Sequence, residues 1–518
     1  MLELVKKNIH MDFIKAKAAT QLVLEDDMNL PDVKPDMDCI CLEKGNVVIE
    51  EAKAYADSVT VRGRLVFQVL YHTDEESHAL ATVEGKIAFE EKLHMPGITA
   101  ADTVKAEGSV EDLSIGIINS RKLSIQSVVN LVVCAEEIYD EEVPIGLRGE
   151  EGIEYRRSPM EMAKVAVSKN DIYRIRDEVL LPNNYPNIFQ VLWSNLSLDD
   201  VEFRPLDEKL SVRGELKVQL IYECVEGRIH SFETSIPFSG NMDCSGCRES
   251  MIPTISYGLG QQEVSIRPDR DGEERVVAVD AMLDMALKMY EEAKVELITD
   301  VYGVKAEVIP VEKEVSIRRL LTRTTGKQKV TEHVKVGAGS SSILQLLHSE
   351  GRVLLDKVEV GKNAITLKGS IPIQVLYISG DDRKPYDALR TQIPYKYEME
   401  INGIEADDTL DVQASLEQMQ VSILDGEELD VKAVPVFTVT AFGQERKKLV
   451  SDITTEPLDT KKLGVLPGMA IYTVKPGDSL WSIGKKYYIS VDRLKKINEL
   501  SSDDLQIGQK LLIVKEGI

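Results

Sequence analysis

Cysteine, histidine and aromatic side chains are scarce in this sequence: 518 residues hold six Cys, seven His and 5% aromatics. Six cysteines (Cys39, Cys41, Cys134, Cys224, Cys244, Cys247) are too few to staple a chain of this length, which suits free thiols in a reducing compartment. The histidines (10, 72, 78, 94, 230, 333, 348) stand apart, in no HExxH pair or triad arrangement. Positive charge is short as well, 62 Lys and Arg against 87 Asp and Glu. Affinity for phosphates rests on clustered cations, so nucleic acid is disfavoured as a partner and the negative charge is read as a solubility device. No apolar run approaches the roughly 20 residues that span a bilayer. The first residues, "MLELVKKNIHMDFIKAKAATQLVL", break their apolar positions with charges and lack the core of a secretory signal. A soluble, intracellular chain with no direct membrane span is expected.

What is present is repetition. "VTVRGRLVFQVLY" at 59–71 returns as "LSVRGELKVQLIY" at 210–222 and "ITLKGSIPIQVLY" at 365–377. In each copy every second position is apolar or Gly, the period of a half-buried strand. "IAF", "IPF" and "IPY" follow each copy, and then "LSI", "VSI" and "VSI" ending at Ile115, Ile266 and Ile423. Upstream, "LPDVKP" at 30–35 pairs with "LPNNYP" at 181–186, whereas the third copy has "VGAGSS" at 336–341. A unit of about 150 residues is too long for a solenoid repeat and long enough to be a domain with its own core. The segment "LDMALKMYEEA" at 283–293 has helical residues, but its place in the repeat matches strand-like "VPVFTVTAFG" at 434–443, so it is read as strand. Pro372, which removes a ladder donor, places the third copy's strand at an edge or a bulge. Edge strands would also offer a route to self-association.

Chemistry is hard to find in the repeats. "GAGSSS" at 337–342 and "TTGKQK" at 324–329 lack the Lys-Ser or Lys-Thr of a phosphate loop and are read as plain loops. "CSGC" at 244–247 is half a zinc set, with Cys224 and His230 the nearby candidates to complete it; the bland reading is two free thiols in a loop. What recurs is Gly63/Gly214/Gly369, Gln68/Gln219/Gln374 and Tyr71/Tyr222/Tyr377. The Gly marks a bulge or close backbone approach, the Tyr a buried face with its hydroxyl at the rim, and the Gln a bond to a neighbouring loop. Catalytic residues, a cofactor and a metal are not expected, and the chain is read as no enzyme.

After a polar joint the pattern changes. Residues 471–514, "IYTVKPGDSLWSIGKKYYISVDRLKKINELSSDDLQIGQKLLIV", read as strand, helix, helix, strand. Asp478 or Ser479 caps the first helix, whose Leu480, Ile483, Gly484 and Tyr487 point inward; Ser490 caps the second, with Val491, Leu494 and Ile497 inward. Trp481, Lys485 and Tyr488 share a separate stripe and are expected to project to solvent as an aromatic and cationic contact face, or else Trp481 folds over the edge of the small core. Residues 471–518 hold eight basic against six acidic side chains, a mildly basic knob that can be steered to an acidic partner.

This module resembles the LysM family through "YTVKPGDSLWSI", Asn498 and "LQIGQKLLI", departing from it at Gly484, where Ala is usual, and at Ile507, where Pro is common. The resemblance implies a groove for N-acetylglucosamine polymers between Gly477, Asp478, Ser479 and Leu480 on one side and Leu505, Gln506, Ile507 and Gly508 on the other. Three β-rich units followed by LysM resemble the SPOCS-domain spore morphogenetic proteins of spore-forming Firmicutes. That resemblance implies a non-enzymatic adaptor of spore-coat assembly in the mother-cell cytosol at the forespore surface. Its LysM module would bind the coat basement-layer ATPase scaffold, with peptidoglycan or another N-acetylglucosamine glycan as the alternative ligand. The expected fold is mainly β: three sandwich- or barrel-like domains at 1–150, 151–307 and 308–450, a linker at 451–469, and a βααβ LysM domain at 470–518.

Overall fold

The computed structural model describes residues 3–73, 79–149, 152–337, 342–381, 384–458 and 468–514. Residues 338–341 of the "GAGSSS" segment and 459–467 of the expected linker lie outside these residues. The first repeat comprises β1 (Glu3–Asn29), β2 (Met37–Tyr55), β3 (Ser58–Thr73), β4 (Leu80–His94), β5 (Thr103–Asn119) and β6 (Lys122–Arg148). The second comprises β7 (Ile153–Leu180), β8 (Ile188–Leu206), β9 (Lys209–Cys224), β10 (Ile229–Asp243), β11 (Ile252–Pro268) and β12 (Glu274–Gly303). The third follows the same plan with two strands interrupted: β13 (Glu307–Lys327), β14 (Val330–Lys335), β15 (Ile343–Gly351), β16 (Leu354–Val360), β17 (Ala364–Ser379), β18 (Tyr386–Glu400), β19 (Thr409–Asp425) and β20 (Glu428–Glu456). The 283–293 segment lies within β12, as its place in the repeat requires.

Each repeat is a sandwich of two antiparallel sheets. One sheet joins the first, last and fifth strands, in the order β1-β6-β5 in the first repeat; the other is a meander centred on the repeated sequence, β2-β3-β4. Val59, Val61, Leu65, Phe67, Val69 and Tyr71 of β3 are all buried, the period of two made physical. At Gly63 the facing strand β2 bulges between Ile49 and Glu51, and a Cβ would fall 2.6 Å from Val48 O and 2.7 Å from the ring of Phe89. Phe238 and Tyr395, from "IPF" and "IPY", cover Gly214 and Gly369 in the same way. The repeated Gly is therefore both bulge partner and aromatic seat. The Tyr hydroxyls do not lie at a rim. Tyr71 Oη donates to Pro35 O (3.0 Å) and Tyr222 Oη to Pro186 O (3.2 Å), pinning the "LPDVKP" and "LPNNYP" loops. The third copy lacks that loop, and its Tyr377 turns to Asp387 (3.3 Å).

Three expectations need correction. The β17 strand is central, between β15/β16 and β18; the donor missing at Pro372 falls where β15 ends and β16 has not begun, so the neighbour breaks instead. "TTGKQK" is not simply a loop, because Thr324–Lys327 still pairs with β20. And β20 runs past residue 451 to Glu456, because its outer end pairs with the start of β13, Glu307↔Glu456. "CSGC" takes the bland reading: Cys244 and Cys247 are buried in the second repeat's core, at the turn where the first repeat has buried Met95 and Ile98 and the third has Ile401 and Ile404. Oxygens of Asp57, Glu208 and Asn363 accept the N–H of Gly97, Gly246 and Gly403 in the three turns. Cys244 and Cys247 are thus small apolar residues in a recurrent turn.

The repeats share cores as well as owning them. Ile9, Met11 and Val143 from the first, Met160, Met162, Val295 and Leu297 from the second, and Val315, Ile317 and Leu449 from the third form one cluster. A second joins Leu42 and Leu70, Trp193 and Ile221, and Leu347 and Leu376. The repeated Gln adds to this ring: Gln219 Nε2 donates to Ser349 O of the third repeat (3.4 Å), and Gln374 in its bonded orientation pairs with the Glu43 main chain of the first (3.0 and 3.2 Å). Gln68 stays local, on Thr82 Oγ1 (3.4 Å).

All three repeats also meet at a buried charge cluster. Lys288 Nζ of β12 donates to Asp12 Oδ2 of β1 (3.0 Å) and Glu136 Oε2 of β6 (2.5 Å). Arg318 Nη1 of β13 donates to Asp12 Oδ1 (2.7 Å), and Tyr290 Oη to Asp12 Oδ2 (2.7 Å). Burial by itself would raise the Asp12 carboxyl, but Arg318, Lys288 and the Tyr290 hydroxyl outweigh it and hold it below its ordinary 3.8. For Lys288, burial lowers and the two carboxylates raise, and the balance lies above 10.5. Asp12 therefore contributes stability above pH 3.8 that is lost as pH falls through its lower folded value. Lys288 contributes stability below pH 10.5 that is lost as pH rises through its higher one. Asp12→Ala leaves buried Arg318 without its carboxylate and takes one of two carboxylates from Lys288, and is expected to destabilise the chain by about 3–5 kcal/mol. Replacing Asp12, Glu136, Lys288 and Arg318 together with Leu or Met should recover most of that loss. Urea unfolding at neutral pH checks both, and a quadruple variant no more stable than Asp12→Ala would contradict the account.

Candidate binding face of the C-terminal module

The C-terminal module consists of β21 (Met469–Thr473), α1 (Leu480–Tyr487), α2 (Val491–Ile497) and β22 (Lys510–Val514), with β21 and β22 antiparallel. Ser479 caps α1: its Oγ accepts from Ser482 N (3.1 Å) and the Ser482 hydroxyl takes the Ser479 N–H (2.9 Å), a capping box with Ser in place of Glu. Asp478 is left free for the preceding turn, where its carboxylate accepts from Lys475 N (2.8 Å) and Tyr472 Oη (2.7 Å). The Lys475 N–H first and the Tyr472 hydroxyl second hold the Asp478 carboxyl below its ordinary range. Ser490 caps α2, accepting from Arg493 N (3.3 Å). Asn498 at the end of α2 donates to Leu494 O (2.9 Å) and Leu512 O (2.8 Å) and accepts from Leu512 N (2.6 Å), riveting helix to strand. Leu480, Ile483, Leu494, Leu511 and Ile513 fill a small core.

Two loops flank the groove that the resemblance implies. Gly508 N donates to Val474 O (2.9 Å) and Val474 N to Gln509 O (2.9 Å), so the turns 475–478 and 506–509 are held side by side. Gly477, Ser479, Gln506, Gly508 and Ile507 are exposed, the last at 72%; Asp478 and Leu505 are half-buried. Leu480 is not available to a ligand, because it points into the core.

The other predicted face does not project to solvent. Trp481 Nε1 donates to Asp300 Oδ2 (2.8 Å), Lys485 Nζ to Asp300 Oδ1 (2.6 Å), and Tyr488 Oη to Glu307 Oε2 (2.7 Å). Tyr302 meets Trp481 edge-on with centroids 4.8 Å apart, and the Arg156 guanidinium lies 5.7 Å from the indole. The trio is the module's foot on its own body, at the seam between the second and third repeats. Trp481 lies neither in the module's core nor in open solvent: the indole is half-buried between the two parts. The basic knob therefore does bind its own acidic body. Gly484 belongs to this contact: Tyr302 Oη donates to Ile489 O (2.8 Å) directly over it, and a Cβ there would sit 2.6 Å from that hydroxyl and 2.7 Å from Ile489 O. The departure from Ala at this position thus has a steric cause.

Burial raises the Asp300 carboxyl, but the Lys485 and Trp481 bonds prevail and hold it below 3.8, so docking should weaken as pH falls through that lower value. One contact opposes docking: burial, and then the nearby Asp492, raise the Glu154 carboxyl. Asp300, Tyr302, Glu307 and Arg156 were not singled out from sequence, and no local pattern could have done so, since each lies far along the chain from its partners.

Comparison with known proteins follows this geometry. The family described as "SipL, SPOCS domain" matches residues 36–118, 187–267 and 342–424, and "LysM domain" matches 472–514. The chain belongs to the SipL-type SPOCS proteins with a C-terminal LysM domain. Each SPOCS match spans the central meander and the strand that follows it, β2–β5 in the first repeat. Curated relatives match over short stretches of the chain. The probable peptidoglycan endopeptidase LytE of Bacillus subtilis (strain 168) is 58% identical over 40 residues, 8% of this chain and 12% of its own length. A probable N-acetylmuramidase of Lactococcus lactis subsp. cremoris is 52% identical over 42 residues, 8% and 10%. SpoIVD-associated factor A of Bacillus subtilis (strain 168) is 44% identical over 52 residues, 10% and 13%. The chain thus spans about a tenth of the length of these relatives. No solved structure matches. SPOCS and LysM are non-catalytic binding domains, and the enzymes among the relatives share only LysM with this SPOCS protein. Among the described residues no helix is long and apolar enough to cross a membrane.

Asp300→Ala removes two charge-assisted bonds from the foot, one to a partly exposed lysine, and should weaken LysM docking by about 2 kcal/mol. The sequence has two tryptophans, and Trp193 is fully buried in the body. A red shift of emission with an expanded solution scattering profile should therefore report Trp481 leaving the body; an unchanged spectrum and profile would show that the foot does not depend on Asp300.

Proposed function

We propose that this SPOCS protein is a non-enzymatic adaptor in spore-envelope assembly. It acts in the mother-cell cytosol at the forespore surface, and its LysM domain binds the coat basement-layer ATPase scaffold through the loops at Gly477–Ser479 and Leu505–Gly508. The three repeats, divided near residues 150 and 307, form the block that holds this tip. The observation that carries the reading is the division of labour on LysM: Trp481, Lys485 and Tyr488 are engaged by the body, while the paired loops with Ile507 stand open. An exposed aliphatic side chain among polar turn residues is the kind of anchor on which protein contacts centre. The name of SpoIVD-associated factor A, one of the LysM relatives, agrees with a protein-binding use of such a domain.

A second reading, binding to an N-acetylglucosamine glycan, is favoured by the same open groove and by the names of LytE and of the cell wall-binding protein YocH of Bacillus subtilis (strain 168). Two measurements together separate the readings. Ile507→Asp, on a surface position that should leave the fold intact, is expected to reduce capture of the ATPase scaffold at least tenfold in pull-down. The native chain is expected to remain unbound when sedimented with purified peptidoglycan at moderate salt. Undiminished capture by the folded variant rejects the groove as the docking surface. Strong retention on peptidoglycan, with no capture of the scaffold, establishes the glycan reading instead.

A further inference from the structure

We propose that Asp38, Cys39, Cys41 and His72 form a binding site for a zinc-class divalent metal ion on the first repeat. The donor atoms of Asp38, Cys39 and His72 all lie within 4.8 Å of one another. The cause is a double irregularity in β2. Its register against β3 slips between Met37 and Cys39 and again between Ile40 and Leu42, so Asp38 and Cys41 are the extra residues, with Cys39 directly opposite His72. Bulges re-aim side chains in this way. The thiols of Cys39 and Cys41 are hydrogen-bonded to each other, which places a fourth donor beside Cys39. His72 Nδ1 is buried and, among the described residues, has no hydrogen-bond partner; Asp38 Oδ2 lies 3.4 Å away.

The fold does not need these donors. The same double slip recurs in β8 against β9 and in β15 against β17. In the second repeat the pair opposite each other is Gln190 and Glu223, which satisfy one another (Nε2 to Oε2, 2.8 Å). In the third, Gln345 faces Ile378. One scaffold position thus carries a hydrogen-bonded amide–carboxylate pair in one copy, no donor set in another, and two thiols, an imidazole and a carboxylate in the first. Thiolate and imidazole select a borderline-soft ion such as Zn²⁺, whereas Mg²⁺ and Ca²⁺ require oxygen ligands throughout. Binding would release the two thiol protons to solvent and would leave both cysteines reduced. Lys384 of the third repeat, paired with Asp387 (2.7 Å), lies close to both thiols and tempers the excess negative charge that the filled site would carry.

The experiment uses the reduced full-length chain, stripped with a chelator and titrated with Co²⁺ and then Zn²⁺. One Co²⁺ per chain is expected, with an intense thiolate-to-cobalt charge-transfer band that Zn²⁺ abolishes. Cys39→Ser and His72→Gln should each weaken binding at least a hundredfold, while Cys244→Ser should bind as the native chain does. Glutamine at position 72 places at this register an amide like those the other repeats carry nearby, so the fold, followed by circular dichroism, should persist. Failure of the native chain to bind stoichiometrically, a band that survives Cys39→Ser, or a band lost in Cys244→Ser overturns the proposal.

Discussion

A carboxylate from the first repeat, held by a lysine and a tyrosine from the second and an arginine from the third, sits at the point on which the rest of this structure turns. Asp12, Lys288, Tyr290 and Arg318 belong to strands that otherwise meet through interchangeable apolar side chains such as Met11, Met162 and Ile317. Apolar surfaces attract but do not select a register, because any slip that keeps them covered costs little. A buried ion cluster does select, since a slip leaves a charge unpaired in a low-dielectric interior, at several kcal/mol. With Glu136 the cluster holds two acids and two bases, and Lys105 stands 3.8 Å from Glu136 at its margin. Its worth lies in specifying how the repeats meet rather than in adding net stability.

That fixed meeting has a consequence at the far end of the same strands. The last residues of β12 and the first of β13 present Asp300, Tyr302 and Glu307 in one place, and LysM stands on that place through Trp481, Lys485 and Tyr488. Were the second and third repeats free to shift, the two carboxylates would separate and the foot would lose one anchor. LysM is thereby oriented, with one side spent on the body and the groove loops turned outward. A binding module held in one pose loses less freedom on meeting a partner than one on a loose tether.

The repeated signals were legible because each reports a local requirement. A period of two makes a half-buried strand wherever it occurs, and the second strand of "IPF" type was recognisable because Gly214 needs the ring of Phe238 beside it. The strand nature of 283–293 could be decided against its helical composition only by comparing copies. LysM was readable almost residue by residue, since its caps at Ser479 and Ser490 and its Asn498 rivet act within short stretches of chain. Pro372 was misplaced for a related reason: a missing donor signals a break, but sequence does not say on which of two adjacent strands the break falls.

By itself, then, the sequence determined what each segment is: strand or helix, which positions share a face, three copies and one small βααβ unit, because those choices depend on neighbours a few residues away. Only the tertiary structure decided what each face meets. A stripe of Trp481, Lys485 and Tyr488 looks the same whether solvent, a partner or the chain's own body covers it. Its match to Asp300 and Glu307 spans 181 residues. Contacts at that range depend on how separate sheets pack in three dimensions, and no local propensity carries that information.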